Sequence, residues 1–202
     1  MMSLARHPVI AVLGSGTEEY DRLARPLGEW LARQGFHLLT GGGGGVMRAV
    51  SRSFYAVQPR QGLVLGIIPG AVDAHHYRRR AGYPNEFVEV AIFTHLDLSG
   101  EEGMCLRSRN HVNVLSADVV IVLPGGHGTS TEAHLAVRYR RPTIVFTDGP
   151  IPPALPRDLR IGKSLMEIQE FVLGQAKNWL GQEIVLVDTK APYASDIPAQ
   201  QE

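Results

Sequence analysis

Two hydrophobic rhythms alternate along the chain. Short unbroken apolar runs predict buried strands at Val9–Leu13 (VIAVL), Phe36–Thr40, Gly62–Pro69, Phe87–Phe93, Asp118–Leu123 (DVVIVL), Thr143–Phe146 and Ile184–Val187. Between them lie amphipathic stretches whose apolar residues recur three and four apart. Glu18–Gln34 places Leu23, Leu27, Trp30 and Leu31 on one helical face and stops at Gly35. Further helices are predicted over Val46–Phe54, Glu102–Leu115, Thr129–Tyr139 and Ser164–Leu180. Strands that are apolar throughout and alternate with helices specify an α/β fold, with a parallel sheet covered on both faces. Ala71–Asn85 and the proline-rich Asp148–Arg160 show no period and predict irregular surface connections. Residues 1–190 read as one domain, followed by a polar, frayed tail over 191–202.

Composition narrows the function classes. With 20 Lys and Arg against 20 Asp and Glu, the formal net charge is zero, so no global field draws the chain to nucleic acid or to an anionic membrane. A single cysteine, Cys105, excludes an internal disulfide and fits a reducing compartment. No signal-peptide pattern opens the sequence, and no apolar run approaches the roughly 20 residues needed to cross a bilayer. A cytoplasmic location is the expectation.

Three glycine-rich turns follow predicted strands: Gly14-Ser15-Gly16, Gly41–Gly45 and Pro124–Gly128. Parallel α/β sheets bind ligands beyond the carboxyl ends of their strands, where these turns fall. The third turn, Pro124-Gly125-Gly126-His127-Gly128-Thr129-Ser130-Thr131-Glu132, joins the most strand-like run to a helix. Glycine allows a sharp bend and close ligand approach, and free amides at a helix start hold anions, above all phosphate. Thr129 and Ser130 add hydroxyl donors. An equally weighted structural alternative makes Thr129 and Glu132 a capping box, with the glycines merely shaping a turn. The turn is neither a Walker A loop nor a dinucleotide fingerprint.

Pro124–Glu132 resembles the PGG-x-GT-x-x-E signature of the Lonely Guy (LOG) family, often labelled "lysine decarboxylase-like". Thr40–Met47 resembles the family's first glycine-rich segment, Gly14-Ser15-Gly16 its N-terminal turn, and Arg109 its catalytic arginine. The similarity spans roughly residues 8–147. It implies a Rossmann-like, doubly wound, mostly parallel sheet in a homodimer. The implied reaction is hydrolysis of the N-glycosidic bond of a nucleoside 5′-monophosphate, of the cytokinin-activating type, releasing free base and ribose 5-phosphate. Lysine decarboxylation does not follow, since no pyridoxal-binding lysine context is visible and the lysines begin at Lys163. By resemblance Glu132 stabilises the ribosyl cation or positions water, and Arg109 holds the phosphate or orients Glu132. Gly125, Gly126, Gly128, Thr129 and Ser130 bind the phosphate, Gly43 and Gly44 line the sugar side, and Ser15 touches base or ribose. No metal or cofactor is implied.

This sequence departs from the catalytic pattern twice. Asn110 follows Arg109 where catalytic members usually carry lysine, and Thr131 precedes Glu132 where they usually carry a second glutamate. The Arg-Asn form resembles a branch that includes molybdenum-cofactor carrier proteins. Its members imply the alternative function, a non-catalytic binder or carrier of a phosphorylated cofactor or nucleotide. Other reactive side chains read as structural. No three of His75, His76, His95, His111, His127 and His134 fall at metal-ligand spacing, Cys105 has no Cys-x-x-Cys partner, and Arg78–Arg80 reads as a solvated run with an interface or a phosphate rim as the sharper alternative. The apolar face of Glu102–Leu115 is expected in the core or a dimer contact.

Overall fold

A computed structural model describes residues 7–73, 76–151 and 154–176. The predicted strand Ile184–Val187, residues 177–180 of the last predicted helix, the tail and His75 lie outside the described residues. Nine strands are described: β1 (Val9–Leu13), β2 (His37–Thr40), β3 (Val64–Ile68), β4 (Gly70–Asp73), β5 (His76–Arg79), β6 (Val90–Phe93), β7 (Val119–Val122), β8 (Thr143–Phe146) and β9 (Arg160–Gly162). Five helices accompany them: α1 (Asp21–Arg33), α2 (Val46–Tyr55), α3 (Asn110–Leu115), α4 (His127–Arg138) and α5 (Leu165–Ala176). Seven strands form one sheet in the order β6-β3-β2-β1-β7-β8-β9, and each pairing is parallel. This is the Rossmann-like α/β sheet that the strand–helix alternation predicts.

Side-chain alternation divides the central strands between two cores. Val119 and Ile121 of β7 join Ile10, Val12, Leu27, Leu31 and Phe54 under α1 and α2. Val120 and Val122 join Ala11, Leu13, Val114 and Leu135 under α3 and α4. Leu27, Leu31 and Leu135 are fully buried, and each such side chain contributes about 1.5–3 kcal/mol of transfer free energy. Helices α1 and α2 approach closely because Gly28 has no Cβ: one built there would overlap Ser53 Oγ and lie 2.6 Å from the Val50 carbonyl.

Several predicted boundaries move, for local reasons. The segment 71–85, predicted to be irregular, contains the antiparallel pair β4–β5, with Val72 opposite Tyr77 and the Tyr77 ring against Gly70 and edge-on to Phe93. The predicted helix 102–115 is split. A 3-10 turn covers Gly100–Met104, Cys105 is extended, and α3 starts only after the Ser108 hydroxyl accepts the Asn110 amide. Strand β9 ends the proline-rich connection by pairing with β8. Helix α1 starts at Asp21 because Ser15 Oγ takes the amides of Thr17 and Glu18 and Tyr20 is left-handed (φ 44°). Among the described residues no helix is long and apolar enough to cross a membrane.

Candidate functional site

The order of strands reverses between β1 and β7, and the turns that leave their carboxyl ends diverge. A crevice opens there, as such switch points require. The turn after β1 is fixed to the turn after β7 by Ser15 N–H donating to the Pro124 carbonyl at 3.0 Å, and to α2 by Val46 N–H donating to the Ser15 carbonyl at 2.9 Å. The resulting cavity of about 290 Å³ is bounded on one side by Gly14–Thr17 and on the other by Gly126, Gly128 and Thr129.

Helix α4 begins at His127 with Gly126 as its N-cap, two residues before the predicted start. The first helical bond runs from Ser130 N–H to the Gly126 carbonyl at 3.1 Å, and no side chain caps the terminus. The amides of His127, Gly128 and Thr129 therefore have no internal partner among the described residues. The capping-box alternative does not form, because Thr129 lies inside the first turn and Glu132 faces elsewhere. An anion in the crevice would meet these amides at the positive end of the helix dipole.

The crevice floor is a buried polar cluster. Arg109 and Asn113 lie one turn apart and both donate to Glu132 Oε1, Arg109 Nη1 at 3.3 Å and Asn113 Nδ2 at 3.0 Å. The Arg109 and Glu132 side chains are only 6% and 11% exposed. Burial raises the Glu132 carboxyl above its ordinary value, against the opposing pull of Arg109 and the Asn113 hydrogen bond. Arg109 Nε and Asn113 Oδ1 are buried without a hydrogen-bond partner. Gly41 makes room for the guanidinium, since a Cβ there would overlap it.

Of the residues singled out in the sequence, Ser15, Arg109, Gly126, Gly128, Thr129 and Glu132 line this one cavity. Gly125 packs beneath it, where a Cβ would overlap Thr129 Oγ1 and stand 2.8 Å from the Ser15 amide. Ser130 points away and donates its hydroxyl to the Ala154 carbonyl at 2.5 Å. Gly43 and Gly44 do not line the cavity; Gly43 lies under the Tyr83 ring and Gly44 faces the Gly16 carbonyl. Of the run Gly41–Gly45, Gly41 lines the cavity.

The SLOG cluster4 family profile matches residues 7–176. The chain belongs to the SLOG cluster4 family. It is 32% identical over 131 residues to an uncharacterized protein of Archaeoglobus fulgidus, covering 64% of this chain and 73% of that one. The molybdenum cofactor binding protein of the phototrophic bacterium Rippkaea orientalis superposes with a TM-score of 0.67 at 30% identity, over 85% of this chain and 98% of that one. The Moco carrier protein of Chlamydomonas reinhardtii gives a TM-score of 0.65 at 24% identity, over 86% and 99%, a likeness of fold. The LOG-like family resemblance, with carrier-type relatives, is thus established.

In this SLOG cluster4 chain the cavity also uses side chains that the sequence did not single out. Asn113 shares Glu132 with Arg109, and its position one helical turn from Arg109 is the signal that could have revealed it. Thr17, Met47, Tyr83 and Ser99 also line it, together with Asn110 and Arg80, which the sequence had marked as a departure from the catalytic pattern and as part of an arginine run. Tyr83 and Arg80 are delivered by the chain leaving β5, which carries no periodic signal. His127 and His134 do not line the cavity, and no group of three or more metal-ligating side chains occurs among the described residues.

Proposed function

We propose that the crevice binds a phosphorylated small molecule by its phosphate and that the protein holds this ligand as a carrier rather than cleaving it. The observation that carries the reading is the uncapped start of α4, whose residues Gly128 and Thr129, with free amides, line a cavity also walled by Arg109. A dianionic phosphate satisfies donors that otherwise remain unpaired, in a setting where the helix dipole and the Arg109 guanidinium act together. The likeness to a molybdenum cofactor binding protein supports a phosphorylated pterin, the molybdenum cofactor, as cargo. The donor set fits the phosphate end of such a molecule.

The floor of the site supports holding over cutting. One Glu132 oxygen is tied to Arg109 and Asn113, which engages the carboxyl in holding the site's own polar groups. Thr131, where catalytic relatives carry glutamate, donates to the Gly128 carbonyl at 2.8 Å and shapes the turn. The second reading is phosphoribohydrolysis of a nucleoside monophosphate by a homodimer, favoured by the pairing of Arg109 with Glu132 beside the crevice.

Purified from its native host, the protein should retain a phosphorylated ligand detectable by mass spectrometry and release no base from AMP or N6-isopentenyl-AMP. Base release that disappears in folded Glu132→Ala and Arg109→Ala variants would replace the carrier reading by the hydrolase reading.

A further inference from the structure

We infer that the ligand is anionic at two points, with the Arg80 guanidinium forming a second anion subsite where the crevice meets a second cavity. This inference rests on the phosphate reading of that turn and extends it to the other end of the same ligand.

The chain after β5 carries Arg78, Arg79 and Arg80, and the structure assigns them different tasks. Arg78 is ion-paired with Asp73, its near neighbour on β4. Arg79 lies over the Phe93 ring, 6.0 Å from its centroid. Arg80 has no carboxylate partner among the described residues; its Nη1 donates to Ser99 Oγ at 2.7 Å. That single neutral bond fixes the guanidinium and leaves further N–H donors for a ligand. A guanidinium is always charged, and its planar fork suits an oxyanion.

Arg80 and Ser99 line the crevice and also a second cavity of about 660 Å³, so the two spaces meet at this pair. The crevice alone holds about 290 Å³, at the lower end for a ligand of cofactor size, which ordinarily occupies about 300–1,000 Å³. A ligand held by phosphate at α4 therefore extends toward Arg80. The acidic groups of the second cavity do not cancel this charge: Asp97 is ion-paired with Arg107, leaving Glu102 against Arg79 and Arg80. Tyr83 lies flush on Gly43 and supplies a flat ring to the crevice wall.

Calorimetric titration of AMP and of adenosine 3′,5′-bisphosphate into the wild-type protein and into Arg80→Gln and Arg80→Lys variants tests the assignment. The wild type should bind the bisphosphate at least about tenfold more tightly than AMP, the gain expected of one charge-assisted contact. Arg80→Gln should abolish that preference and leave AMP affinity within about twofold, Arg80→Lys should restore part of it, and added salt should reduce it. Equal affinity of the wild type for both probes, or a preference that survives Arg80→Gln, overturns the second subsite while the phosphate reading stands. No binding of either probe overturns the inference together with the reading on which it rests.

Discussion

At the residue scale the most informative group is Glu132, where burial and two hydrogen-bond donors act in opposite directions. Burial prevails, so its carboxyl titrates above the ordinary glutamate range. A carboxyl whose folded pKa is raised binds its proton more tightly in the native state than in the unfolded chain. Its contribution to stability is then complete below the ordinary carboxylate value and is lost as pH rises through the folded value. Glu132→Gln keeps the shape but removes the titration. Chemical unfolding across pH should show the wild type losing stability relative to Glu132→Gln as pH rises above about 4.5. A wild type that gains on the variant over that range would mean that Arg109 holds the carboxylate charged. The pairing of Arg109 with Glu132 was available in the sequence only through resemblance, because nothing in a spacing of 23 positions shows that two helices will meet. Asn113 was legible in principle, being one turn beyond Arg109.

At the element scale, close approach decides what a substitution does. Gly28 lies inside α1, and replacing an internal helical glycine with alanine ordinarily stabilises by about 1 kcal/mol. Here the added methyl meets the α2 backbone at Val50, which cannot move aside as a flexible side chain could. Gly28→Ala should therefore destabilise by about 1–3 kcal/mol in urea unfolding, the cost of overpacking exceeding the gain in propensity. Higher stability would show that α1 and α2 separate at little cost.

The same scale shows where the pattern was legible. Runs such as VIAVL and VVIV are apolar at every position because both faces of β1 and β7 are covered, so no competing signal exists. The strands β4 and β5 escaped because β5 (HYRR) is exposed throughout and shows no alternation. The helical spacing of Met104, Val112 and Leu115 spanned a real break, since a hydroxyl–amide bond at Ser108 leaves no mark on hydrophobic periodicity.

At the scale of the whole molecule, the parallel sheet brings two turns more than a hundred residues apart to one crevice. Their joint geometry, the free amides of α4 and an Arg80 with no carboxylate partner among the described residues describe a receptor for an anionic ligand. A ligand that binds only the folded state must raise stability, by about 2.7 kcal/mol at a hundred times its dissociation constant. Gly126 provides the control. Its φ of −95° suits any residue, and a Cβ there meets nothing within 4 Å. Gly126→Val should thus fold normally while projecting its methyl groups into the space in front of the amides. The decisive measurement is the thermal shift of wild type and Gly126→Val with inorganic phosphate, AMP and a phosphorylated pterin. At least one of these should raise the wild-type melting temperature, and none should raise that of the folded variant above its own ligand-free value. No shift of the wild type by any of the three, or an equal shift in both proteins, would contradict a phosphate site at the start of α4.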